Sequence, residues 1–101
     1  LREQKEDAHR MRLAALVDSA LEEALAALST IPDAGGYAQH EFGGGTLESR
    51  IVTLPDGRKQ ATARATYAGL ERSVVAEIVF GFGGPRILTW VPGKTRIAGT
   101  T

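Results

Sequence analysis

The chain has 101 residues, no cysteine, and twelve acidic side chains balanced by twelve basic ones. A hydrophobic fraction of 43% is enough for one ordinary core and excludes a chain disordered throughout. Without cysteine there is no disulfide framework, no thiolate zinc site and no cysteine nucleophile.

The first 29 residues hold neither Gly nor Pro and are rich in Ala, Leu, Glu and Arg, which are strong helix formers. Leu13, Leu16, Val17, Ala20, Leu21, Ala24, Leu25 and Leu28 recur at steps of three and four. That spacing predicts a helix with one apolar face, and Asp18, Glu22 and Glu23 fall on the other side. Residues 1–12 are nearly all charge, with Arg2, Glu3, Lys5, Glu6, Asp7, Arg10 and Arg12. They read as a stem: either a solvated helix end or part of a longer helix. His9 within it is expected in solvent. The chain does not begin with Met and starts inside a helical pattern, so a processed or truncated protein is expected.

Pro32 stops the helix, because proline disfavours helix in the residue before it. Residues 32–36 form a turn-rich connection, and from Tyr37 the period changes to two. Residues 46–54 read as a strand with Leu47, Ser49, Ile51 and Thr53 on one face. After Pro55-Asp56-Gly57, residues 58–68 alternate Ala61, Ala63, Ala65 and Tyr67 with Thr62, Arg64 and Thr66. Residues 71–80 form a third strand, with Val74, Ala76, Ile78 and Phe80 inward. Residues 86–91 form a short last strand, residues 37–42 are a possible extra edge strand, and residues 92–101 read as a loose tail. Short turns imply antiparallel neighbours. The expected fold is therefore α+β in a single domain: one long N-terminal helix (residues 13–29 packing on the sheet) over a three- to four-stranded antiparallel meander (residues 37–91). Leu13, Leu16, Val17, Leu21, Leu25 and Leu28 would meet the alanine face of Ala61, Ala63 and Ala65.

Chemistry is sparse. Gly93-Lys94-Thr95 matches the end of a phosphate-binding loop, but the glycine that motif needs five residues earlier is Leu88. It reads as a terminal loop. The clusters Gly43–Gly45 and Gly81–Gly84 match no dinucleotide fingerprint. His9 and His40, the only histidines, lie on different elements without metal spacing. No cofactor or metal is expected, and an enzyme is disfavoured. Trp90 with Phe80, Phe82 and Tyr67 reads first as core; the alternative is a partner-facing patch of Leu88 and Trp90 on an edge strand. Net charge is −3 over residues 1–40 and +3 over residues 41–101. The eight basic residues of the second part are scattered along it, which disfavours nucleic acid as a partner. No apolar run approaches the ~18–20 residues of a membrane-spanning helix.

With these elements placed, the chain resembles the soluble part of type IV pilin-like proteins, the minor pilins and pseudopilins. The Ala-rich, acid-bearing helix of residues 13–28 (LAALVDSALEEALAAL) is similar to the segment that follows the membrane span in that family. Residues 54–78 resemble its sheet, with Thr66-Tyr67-Ala68-Gly69 at a turn and Arg72-Ser73-Val74 opening a strand. Leu88-Thr89-Trp90-Val91 resembles a tryptophan-bearing final strand. The resemblance implies a structural subunit of a pilus, DNA-uptake or type II secretion filament. Its partners would be other pilin or pseudopilin subunits and, through an apolar N-terminal segment absent from this sequence, the inner membrane. Nucleic acid would enter only for a DNA-uptake pilus. It also implies a membrane-anchored protein with its folded part in the periplasm or on a cell-surface filament. Arg2, Glu3, Lys5, Glu6, Arg10, Leu88 and Trp90 are the candidate subunit interface. The alternative is a soluble binding or inhibitor module, with a helix laid over a sheet as in cystatin-like folds.

Overall fold

The computed structural model describes residues 2–98, with side chains from Asp7 onward. One helix, α1 (Arg2–Thr30), precedes six strands: β1 (His40–Phe42), β2 (Gly45–Thr53), β3 (Lys59–Tyr67), β4 (Leu70–Gly81), β5 (Gly84–Pro92) and β6 (Arg96–Ile97). The fold is α+β, one N-terminal helix on an antiparallel sheet. The strands run β1-β2-β3-β4-β5 in space, and β6 also pairs with β4.

α1 ends as its sequence dictates. The Ile31 N–H donates to the Ala27 carbonyl at 2.8 Å, and Pro32 follows. Its apolar stripe lies over β3, with β2 and β4 to either side. Leu13, Leu16, Val17, Ala20, Leu21, Ala24 and Leu28 are buried, and Leu25 packs half-buried against them. From the sheet come Leu47, Ile51, Ala61, Ala63, Ala65, Val74, Ala76 and Ile78. Ala20 and Ala24 meet a sheet face that carries four alanines, all essentially inaccessible to solvent. Small side chains on both surfaces let the helix axis sit close to the sheet, while Leu13, Leu16 and Leu28 fill the flanks. Each such leucine contributes roughly 1.5–3 kcal/mol by leaving water.

Two-residue turns join β1 to β2, β3 to β4 and β4 to β5, and residues 54–58 join β2 to β3. Gly43 and Gly44, with φ of +58° and +87°, give the β1–β2 hairpin the twist that matches paired strands. The β3–β4 hairpin uses Ala68 and Gly69, and Ala68 is the one non-glycine residue with positive φ among the described residues, at +52°. At the β2–β3 turn, the Asp56 carboxylate accepts the Arg58 backbone N–H at 3.1 Å and its Nε–H at 2.6 Å. Those two bonds hold the Asp56 carboxyl below its usual pKa.

The sheet has six strands where three or four are expected, and the two extra ones are short. β1 is fixed by pairing with β2, in register from His40 opposite Leu47 to Phe42 opposite Gly45. β6 corrects the expectation of a loose tail. Leu70 and Glu71 of β4 pair with Ile97 and Arg96, and the Arg96 Nε–H donates to Glu71 at 2.9 Å. A two-residue strand carries no periodicity, and its ion-pair partner lies 25 residues away.

One further correction concerns β5. The register with β4 shifts between Glu77 and Ile78, so Thr89 stands opposite Glu77 but Ile87, not Leu88, stands opposite Ile78. The extra residue of this bulge breaks the alternation. Trp90, opposite Ala76, therefore shares the helix-side face with Ile87, and the expected Leu88–Trp90 face is not formed in register.

Candidate functional site

The two edges of the sheet differ in cover. Beside β2, residues 35–42 run back along the strand. Tyr37 and Gly35 carbonyls accept the Ser49 and Ile51 N–H groups, each at 3.0 Å, before β1 continues the pairing. The approach is so close that a Cβ on Gly36 would lie 2.3 Å from the Ser49 carbonyl oxygen, and Gly36 itself has φ +99°. The Ser49 hydroxyl completes the seam by accepting the Tyr37 N–H at 3.0 Å.

At the opposite edge nothing pairs with the outer side of β5 among the described residues. α1 reaches β5 only marginally: Ala14, Val17 and Asp18 face Trp90 and Pro92 across a small hollow. As a result Ile87, Leu88, Trp90 and Val91 are exposed, as are Phe80 and Phe82 where β4 turns into β5. Trp90 is 57% exposed and Phe82 lies fully in solvent. This corrects the reading of these aromatics as core. The inward position expected for Phe80 also fails, because β4 outruns the helix there. Tyr67 does not join Trp90; it meets the His9 ring edge-on, with centroids 5.7 Å apart. A nine-residue strand that, among the described residues, is unpaired on its outer side and bears four exposed large apolar side chains is a template for another strand or apolar surface.

The charged stem is anchored at its end. His9 is half-buried against Tyr67 rather than solvated, and the Arg12 guanidinium donates to the Gly43 carbonyl at 2.9 Å. Both contacts reach hairpin turns, so this part of α1 braces the end of the sheet. Arg10 is exposed, whereas the side chains of Arg2, Glu3, Lys5 and Glu6 lie outside the described ones. The structure thus places Arg10 at one end of α1 and Leu88 and Trp90 on the β5 edge, without bringing them into one patch.

His40 provides the main polar tie between α1 and the covered edge. Its Nδ1 lies 2.8 Å from the Ala38 carbonyl and its Nε2 lies 3.0 Å from the Glu23 carboxylate. Both partners are acceptors, so only the doubly protonated imidazolium satisfies both contacts. The Ala38 carbonyl first, then Glu23, raises the His40 pKa above its ordinary value. No local pattern marks this pair, because 17 residues separate its members.

Among the described residues no group of three or more His, Asp or Glu side chains is placed to hold a metal ion. A hollow at the turn end of the sheet is lined by Phe42, Gly44, Tyr67, Gly69 and Ala98, with Glu41 its one charged wall among the described residues. No helix among the described residues is long and apolar enough to cross a membrane. No protein-family model, curated protein or solved structure gives a significant match to the chain.

Proposed function

We propose that this chain is the folded part of an assembly subunit of the type IV pilin-like kind, a minor pilin or pseudopilin. It acts by binding other subunits. The observation that carries the reading is the bare β5 edge. A sheet that covers one edge with its own chain, yet leaves Ile87, Leu88, Trp90 and Val91 exposed along the other, has an apolar surface suited to a neighbour. The long helix followed by an antiparallel meander supports the resemblance in the order of its elements. In this reading β5 meets an adjacent subunit, while α1 directs the charged stem toward the filament axis or the inner membrane.

The test is fractionation of the product of the complete reading frame in its native cell. The reading expects an apolar segment of about 20 residues encoded ahead of Leu1. It also expects recovery of the protein with the inner membrane and with filaments sheared from the surface. A complete frame lacking such a segment, with all the protein in the soluble fraction, overturns it in favour of a free binding module.

A further inference from the structure

The basic residues that look scattered in sequence do not stay scattered. Three of the eight in residues 41–101, Arg64, Lys94 and Arg96, surround one cleft of about 420 Å³ at the β4 edge, while Arg72, which borders it, stands opposite Ala65 on the helix-side face. The cleft arises from topology. β5 leaves β4 at Val74 and β6 rejoins it at Glu71, so the intervening loop arches off the edge. Its Gly93 N–H is tied down to the Ser73 carbonyl at 2.7 Å. The loop is Gly93-Lys94-Thr95, the run that resembled a phosphate loop but lacked the rest of the motif.

A single carboxylate, Glu71, lies among these cations, and its side chain is only 5% exposed. One of its oxygens is 3.2 Å from Arg64 Nη2, and the other accepts the Arg96 Nε–H at 2.9 Å. Arg64 also reaches Glu48, Nε to Oε1, at 3.1 Å. The buried acid thus fixes two guanidinium groups whose remaining N–H donors are accessible, since the Arg64 and Arg96 side chains are 44% and 63% exposed. Lys94 forms no ion pair among the described residues, so its charge is not neutralised internally. Ser73 and Thr95 hydroxyls line the same space. Prefixed guanidinium forks, a free ammonium and hydroxyl donors are a donor set for a tetrahedral oxyanion.

The geometry points to a binding site in this cleft for a phosphate group, borne by free phosphate or by a small phosphomonoester. The run Gly93-Lys94-Thr95 supplies it with a lysine and a hydroxyl on a loop followed by strand β6, not by a helix. The site is independent of the β5 edge and does not rest on the assembly reading.

The test is an amide NMR titration of the chain with sodium phosphate and, separately, with glycerol 2-phosphate, each against sodium chloride at matched ionic strength. Saturable shifts at Ser73, Lys94, Thr95 and Arg96 are expected with at least one phosphate probe. Binding by both probes assigns recognition to the phosphate group itself; binding by one tells free phosphate from the ester. Lys94→Gln, which breaks no ion pair and so leaves the fold intact, should weaken binding at least threefold. Arg96→Met should weaken it further, but it strips Glu71 of a partner, so Lys94→Gln is the deciding variant. Shifts that sodium chloride reproduces, that rise linearly without saturating, or that Lys94→Gln leaves unchanged, overturn the site.

Discussion

The β2 and β5 edges of this sheet are treated in opposite ways. Beside β2, the chain doubles back through Gly36, satisfies the Ser49 and Ile51 N–H groups, and adds β1 with its His40–Glu23 tie to the helix. Beside β5, the strand carries its apolar side chains largely into solvent, and among the described residues nothing pairs with its outer side. The sheet carries the same kind of residue at both places. Leu47 on β2 is fully buried, whereas Leu88 on β5 is 49% exposed. The difference lies in what covers them, because α1 lies over β2, β3 and β4 and reaches β5 only marginally. An edge covered by several separate devices is closed to strand addition, and an apolar edge without them stays accessible to it.

The comparison can be broken from either side. Leu47→Ala should cost about 2–5 kcal/mol of unfolding free energy, the range for truncating a buried leucine, whereas Leu88→Ala should stay within about 0.5 kcal/mol. Urea denaturation of the two variants measures both, and equal losses would mean that β5 is as buried as β2. Next in size is Gly36→Ala. The added Cβ would meet the Ser49 carbonyl in a backbone conformation that alanine resists, so a loss of about 1–3 kcal/mol is expected. The Ser49 and Ile51 amides should then exchange with deuterium as fast as those of an open edge.

Ala68→Asn acts in the other direction, away from both edges. Asparagine tolerates the left-handed conformation better than alanine, and Asn-Gly suits this two-residue hairpin. A gain of up to about 1 kcal/mol is expected in thermal melts, without change at either edge.

The smallest effect is pH-dependent and confined to the covered edge. The folded-state pKa of His40 is raised, so its contribution to stability is fully present below the ordinary value near 6.5 and is lost as pH rises through the folded value. The melting temperature of the native chain should therefore fall more between pH 6 and pH 8 than that of His40→Gln. Parallel curves for the two would show that the imidazolium does not clamp this edge.

Much of this architecture is legible in the sequence, for reasons that are local. The steps of three and four from Leu13 to Leu28 and the alternation of Ala61, Ala63 and Ala65 place the helix, the central strands and their shared core. What escapes is non-local. β6 pairs with β4 and is joined to it by the Arg96–Glu71 bond, and His9 meets Tyr67. The tie between His40 and Glu23 joins two elements that no periodicity links. The bulge at Leu88 defeats parity counting, since one inserted residue moves Ile87 to the face assigned to Leu88. Trp90 is the instructive case. Its position in a strand is readable, but its exposure depends on where a helix packed elsewhere ceases to reach. The candidate site was legible only in part for the same reason: the residues were visible, their cover was not.

The central claim is that β5 is a docking edge. The most direct measurement places a lysine on it, since charge on an edge strand blocks strand addition. Trp90→Lys should leave the melting temperature of this folded unit within about 2 °C of the native value, because Trp90 is already largely in solvent. The same substitution in the full-length protein should abolish its incorporation into sheared filaments. Retained incorporation with an unchanged melting temperature would contradict the claim.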